Sequence, residues 1–343
     1  MDHKINSSRS GAKKKATMQD VATLAGVAPM TVSNCYRVPD KVHPQTLARV
    51  LEAAAKLGYT RNRIAGNLAS GRSQVVGVLV PSLENSNFIG MIQGLEDRLH
   101  QLDHQLMLAV TPTADRELDS IRTFIERRID GVVLTDVQHS RDTVDLLRNA
   151  RLPTVETWSL KGPFIDMGVG FSLYDAAFDM TNLMIEAGYR RIGFAGFTPA
   201  STERFLERQR GFEDALRRAN LRHDVHAYTE QSEGFAGGRI TLNALLREEP
   251  ELDGVFCGTD ILAAGMIFEC MRRGWRVPGR IGIAGYGNYQ IASEITPKLT
   301  TVATPGYEMG VAAAEMLVGR LVGAAPAPVI RDVGYRLISG ASF

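Results

Sequence analysis

The 343-residue sequence predicts an α/β protein in which a small all-α head precedes a body of doubly wound parallel sheets. Three observations lead there. From residue 75 onward, short apolar runs alternate with segments of helical periodicity, the texture of parallel strands covered on both faces. The run Ile129-Asp-Gly-Val-Val-Leu-Thr-Asp136 is echoed by Leu252-Asp-Gly-Val-Phe-Cys-Gly-Thr-Asp260, which indicates two such sheets, each with this run as its third strand. Residues 17 to 57, in contrast, carry three successive helix patterns, with Gly26 ending the first and Gly58 the last.

Thr17 supplies the acceptor of an N-cap and Asp20 stands three residues on, a capping-box spacing that starts a helix with Val21, Ala22, Leu24 and Ala25 on its apolar face. Gly26 ends it in a turn that glycine enters cheaply, and Pro29 has the fixed φ of a first helical residue. The second helix, Pro29 to about Tyr36, turns Val32 and Cys35 inward and leaves Pro29, Met30, Ser33 and Asn34 outward. Two short helices across such a turn make a helix-turn-helix, whose second helix fits a DNA major groove. A third helix, from about Pro44 to Leu57, uses Leu47, Val50, Leu51, Ala54 and Leu57 to close a core of few residues.

The net charge of +1 hides a segregation. Residues 1 to 73 hold 12 Lys/Arg against 4 Asp/Glu, so a head of +8 precedes a body of −7. A basic head on an acidic body is the footprint of a nucleic-acid binder with salt-dependent affinity. The opening MDHKINSSRSGAKKKA is polar and basic with no apolar core, so residues 1 to 15 read as a disordered arm rather than an export signal. With no membrane-spanning run either, the expected location is the cytoplasm. Cys35, Cys257 and Cys270 are too far apart for a zinc spacing and too few for a disulfide framework, and read as buried thiols.

In the body, strands are predicted at 75 to 80, 106 to 110, 131 to 135, 153 to 157, 191 to 197, 254 to 257 and 281 to 285. Between them lie helical patterns such as Ile89, Ile92, Leu95, Leu99 and Leu102. Ligands of open α/β sheets bind beyond the C-terminal strand ends. The candidates there are Ser82, Asn85, Asn87, Phe88, Asp136, Glu156, Trp158, Arg204, Arg208, Asp260 and Asn288, a set rich in groups that bind hydroxyls.

The runs DVATLAGVAPMTVS, PDKV and LGYTRNRIAGNLASGRS resemble the head and hinge of the lactose-repressor family of bacterial transcription factors, and the resemblance extends from Thr17 to the end. PSLENSNF, VETW, STERFLERQRGFEDAL and IAGYGNYQ are most similar to a subgroup that represses gluconate utilisation. The resemblance implies a helix-turn-helix domain at 16–61, a hinge helix at 62–73 and a two-lobed body at 74–343, like that of periplasmic binding proteins. One lobe would comprise about 74–171 and 304–327, the other 172–303 and 328–343. It implies a homodimer on double-stranded operator DNA with no cofactor. Absence of a leucine-heptad tail before Phe343 favours a dimer over a tetramer.

Base readout falls to Pro29, Met30 and Asn34; Thr31, Ser33, Arg37 and Lys41 hold phosphates, and Thr17 lies at the same front. The hinge, from Asn62, would order on DNA and place Leu68 in the minor groove. In the cleft, Arg208 matches the family's effector-gripping arginine, with Arg204 a second cation, and Asp260 matches its effector-binding acid. A sugar acid such as gluconate is the effector these residues imply, with release of the operator on binding; a neutral sugar or other metabolite, and co-repression or activation, stand as alternatives. Two departures are visible: Gly287-Asn288 where relatives often carry aspartate after the aromatic, and Ala28 and Arg37 where they carry an N-cap hydroxyl and asparagine.

Rival classes fare worse. Gly168-Val-Gly170 is followed by Phe-Ser-Leu, so no dinucleotide fingerprint is present, and no phosphate loop or nucleophile elbow occurs. His100 and His104 lack a third metal ligand. An enzyme is therefore not the expected reading, and a solute-binding protein for uptake is opposed by the basic head.

Overall fold

The computed structural model describes residues 16–60, 72–83, 87–136, 138–198, 203–323 and 329–343. The arm, the hinge with Asn62 and Leu68, and Asn85 lie outside them. Contacts divide the chain into two compact units after Gly71.

In the first unit, α1 (Met18–Ala25), α2 (Pro29–Arg37) and α3 (Pro44–Leu57) follow one another, with a 3₁₀ turn at Pro39–Lys41. The capping box is present: Asp20 N–H donates to Thr17 Oγ1 (3.3 Å) and Thr17 N–H to Asp20 Oδ2 (2.8 Å). Gly26 at φ +64° and Gly58 at φ +61° close α1 and α3. Val21, Ala22, Ala25, Val32, Cys35, Val50, Ala53 and Ala54 form the core. Leu24, Leu51 and Leu57 differ from expectation, remaining 52, 46 and 37% exposed. Ala22, Ala25, Ala53 and Ala54 are buried in the core, and the leucines lie on the outer side of their helices.

The second unit contains two six-stranded sheets. The first holds β1 (Val75–Val80), β2 (Gln105–Val110), β3 (Gly131–Thr135), β4 (Thr154–Thr157), β5 (Met167–Gly170) and β11 (Val329–Asp332), in the order β11-β5-β4-β3-β1-β2. The second holds β6 (Ile192–Thr198), β7 (His226–Glu230), β8 (Gly254–Cys257), β9 (Gly282–Gly287), β10 (Thr300–Ala303) and β12 (Arg336–Ile338), in the order β12-β10-β9-β8-β6-β7. All pairings are parallel except β10 with β12. Helices α4 (Phe88–Gln101), α5 (Ala114–Glu126), α6 (Arg141–Ala150) and α12 (Gly306–Leu321) cover the first sheet; α7 (Leu173–Glu186), α8 (Glu203–Arg218), α9 (Gly234–Glu248) and α10 (Asp260–Arg272) cover the second, and α11 (Gln290–Glu294) follows β9.

The chain passes between lobes after β5, after β10 and after β11. The third passage corrects the boundary expected near residue 328. Val329–Asp332 pairs in parallel with Met167–Gly170, so this segment completes the first sheet before the chain leaves it.

The sequence echo has a physical origin. Asp130, before β3, accepts hydrogen bonds from Ser73 N–H (2.8 Å), Ser73 Oγ–H (3.2 Å) and Gln74 N–H (2.7 Å) at the start of β1. Asp253, before β8, accepts from Arg190 N–H (3.0 Å) and Arg191 N–H (2.9 Å) at the start of β6. Each aspartate thus ties the third strand to the entrance of the first. Asp130→Ala strands three donors, and urea unfolding should show a loss of about 2 kcal/mol.

Candidate functional site

On the head, α2 presents Met30 at 66% exposure, with Arg37 and Lys41 also exposed and Pro29, Thr31, Ser33 and Asn34 half-buried. Ala28 provides no side-chain cap, so the amide end of α2 is left to other acceptors. The Thr17 hydroxyl is engaged with Asp20 (2.7 Å).

In the body a cleft opens between the lobes at the C-terminal strand ends. Asn87, Phe88 and Trp158 line it from the first lobe, and Phe197, Arg204, Phe205, Arg208, Thr259, Tyr286 and Tyr289 from the second. Of the predicted residues it brings together Asn87, Phe88, Trp158, Arg204 and Arg208. The sequence candidates do not include the aromatic walls Phe197, Phe205, Tyr286 and Tyr289, nor Thr259. Thr259 stands two residues past the end of β8, where the strand-end rule applies to it as well as to Asp260.

Arg208 is 7% exposed. Its guanidinium donates to Gly258 O (2.7 Å) and Arg204 O (3.2 Å), and lies over the rings of Phe205 (4.5 Å) and Tyr286 (4.7 Å). Among the described residues no carboxylate pairs with it. Desolvation, the largest influence, lowers its pKa, and the Arg204 charge adds to that. Arg204 stacks over Phe88 (5.1 Å) and joins the lobes by an ion pair to Asp136 (3.2 Å). Lys161 to Glu207 (2.6 Å) and Gln138 to Glu203 (3.5 Å) are further links from the first lobe to α8. Among the described residues, two buried donors lining the cleft, Trp158 Nε1 and Tyr286 Oη, have no hydrogen-bond partner.

Other predicted residues serve elsewhere. Glu156 lies within β4 rather than past its end, and is fully buried. It accepts from Ile165 N–H (2.5 Å) and faces His139 (3.7 Å), which also meets Glu117 (3.0 Å). Asp260 accepts from Tyr289 N–H (2.7 Å) and Thr301 Oγ1–H (2.5 Å), so it braces the loop after β9 and is not a wall of the cleft. Asn288 is exposed at φ +55°, and Asp136 reaches the site only through Arg204; Ser82 stands beside Pro81 outside the lining. Gly287 explains its departure from the family pattern: at φ +128°, a Cβ there would meet Asn87 Oδ1 and the Tyr289 ring at 2.9 Å.

A helix-turn-helix unit joined to a two-lobed body with a donor-lined cleft defines a DNA-binding transcriptional regulator. The comparisons agree. Residues 17–62 match the model of the lacI family of bacterial regulatory proteins, and 181–343 that of a periplasmic binding protein-like domain. The HTH-type transcriptional regulator GntR of Escherichia coli (strain K12) is 36% identical, covering 96% of this chain and 99% of that one. A LacI-family transcriptional regulator from Silicibacter pomeroyi superposes with TM-score 0.83 at 32% identity, over 95% of this chain and 99% of that one. The lac repressor dimer bound to operator shares the fold, with TM-score 0.86 at 21% identity over 96% and 99%. The chain belongs to the lacI family of bacterial regulatory proteins.

The buried acids predict a pH dependence. Desolvation pushes Glu156 from 4.5 up to about 7 and Asp260 from 3.8 up to about 6. His139 is lowered by burial, but its hydrogen bond to Glu117 and the charges of Glu117 and Glu156 outweigh that and leave it raised. All three bind protons more tightly folded than unfolded, so their stabilisation is complete in acid and is lost as pH rises through about 6 to 7. Urea midpoints should fall between about pH 5 and pH 8. Glu156→Gln, which keeps the oxygen for Ile165 N–H, should remove up to about 3 kcal/mol of that fall.

Proposed function

We propose that this regulator is a dimeric repressor of sugar-acid catabolic genes, of the gluconate type, released from its operator by a sugar acid in the inter-lobe cleft. The carrying observation is the buried Arg208 guanidinium, which has no carboxylate partner among the described residues. A ligand carboxylate can meet it by two-point hydrogen bonding. The remaining walls favour the same ligand: Trp158, Arg204 and Tyr286 present donors, and no Asp or Glu is among the described residues that line the cleft. A neutral sugar would leave Arg208 uncompensated.

On DNA, Met30 and Pro29 make apolar contacts, such as to a thymine methyl, Asn34 pairs with adenine, and Thr31, Ser33, Arg37 and Lys41 set register on phosphates. The second copy pairs through apolar surface left open in the body, including Leu108 and Val110 on the edge strand β2 and Phe235 and Met271 on α9 and α10. The protein works in the cytoplasm, where its operator is. Effector binding changes the angle between lobes and thereby the presentation of the paired heads. A thousandfold loss of operator affinity requires the effector to prefer the released state by about 4 kcal/mol.

Calorimetry with gluconate, ketogluconates, neutral hexoses and purines tests the reading, coupled to gel shifts on promoter DNA flanking the gene. Sugar acids alone should bind and release the DNA; tight binding only of neutral hexoses or purines would overturn it. Arg208→Met should weaken sugar-acid binding at least tenfold. Met30→Ala and Asn34→Ala should each cost operator affinity about 1 to 3 kcal/mol, and binding should weaken steeply with salt.

A further inference from the structure

Trp158 and Tyr286 face the cleft from opposite lobes, the first just after β4 and the second within β9. They are only 3% and 2% exposed, yet among the described residues neither the indole N–H nor the phenol O–H has a partner. Buried donors are seldom left unsatisfied, and a site built around such donors discriminates strongly against ligands that fail to meet them. An indole nitrogen only donates. Tyr286 stays protonated, because burial raises its pKa, and Arg208 and Arg204, the charges that act on it, offer no acceptor on their guanidinium groups.

Neither ring is free to swing in search of a partner. Trp158 sits on a left-handed backbone at φ +74°, its ring edge-on to Phe88 (5.5 Å) and Phe171 (6.4 Å). Tyr286 is held between the Arg208 guanidinium (4.7 Å) and Phe256 (6.4 Å).

We infer that Trp158 Nε1 and Tyr286 Oη are a cross-cleft specificity pair that reads the two ends of the effector. The inference rests on the sugar-acid reading and deepens it: the carboxylate lies against Arg208 and Tyr286 in the second lobe, and a hydroxyl or carbonyl oxygen further along the chain accepts from Trp158 in the first. A ligand satisfying both donors bridges the lobes. A two-carbon acid such as glycolate satisfies only the second.

The sequence contains two tryptophans, and the other, Trp275, is stacked by Arg273 (5.0 Å) and Arg280 (5.1 Å) outside the cleft lining. It is an internal reference for indole ¹⁵N–¹H spectra of the full-length protein. Saturating gluconate should move the Trp158 indole proton downfield and leave Trp275 in place, whereas glycolate should leave both. Trp158→Phe and Tyr286→Phe should each weaken gluconate binding about three- to tenfold, and Trp158→Phe should narrow the preference for gluconate over glycolate by the same factor. A Trp158 resonance unmoved by calorimetrically saturating gluconate, or unchanged affinity in a folded Trp158→Phe variant, overturns the pair and leaves the sugar-acid reading standing. The wild-type spectrum decides even where a variant fails to fold. If glucitol binds in place of gluconate and moves the Trp158 resonance, the pair stands and the acid reading falls; if no acid or polyol binds, both fall.

Discussion

A buried positive charge that no described carboxylate meets organises the body of this molecule. Arg208 is carried into the interior by α8, whose Phe212, Ala215 and Leu216 are fully buried and fix the helix to its lobe. Glu203, Arg204, Glu207 and Arg208 share one face at helical spacing, so anchoring that helix places all four together. Glu203, Arg204 and Glu207 meet Gln138, Asp136 and Lys161 of the opposite lobe, and the fourth waits in the cleft. The same helix therefore links the lobes and lines the cleft, so a ligand held at Arg208, as proposed above, would act directly on the angle between lobes.

Much of the fold was legible because the responsible forces are local. The capping box, Gly26, Pro29 and Gly58 mark helix ends by backbone preference, and the β1, β3 and β8 runs are apolar because both faces of those strands are buried. The strands that escaped prediction lack that signature. Met167–Gly170 is half glycine, His226–Glu230 is a polar edge strand, and Thr300–Ala303 relies on threonines whose hydroxyls find partners within the fold.

The site was legible in part for a similar reason. Charged groups just past strand ends stand out, and Arg204 and Arg208 could be placed by the family motif. Glu156 and Asp260 look equally functional in sequence, but buried backbone amides and His139 occupy them, a competition visible only in three dimensions. Phe88 and Trp158 stood out past their strand ends, whereas Phe197, Phe205 and Tyr286 were hidden because they read as ordinary core.

Asp130 carries a mechanical consequence. Its carboxylate grips two successive amides at residues 73 and 74, and Arg72 donates to Leu321 O (2.5 Å) at the end of α12. The first residues of the body are thus clamped at two points on one lobe, like a shaft seated in a bearing. Any turn of that lobe therefore carries residues 72 to 74 with it without slack.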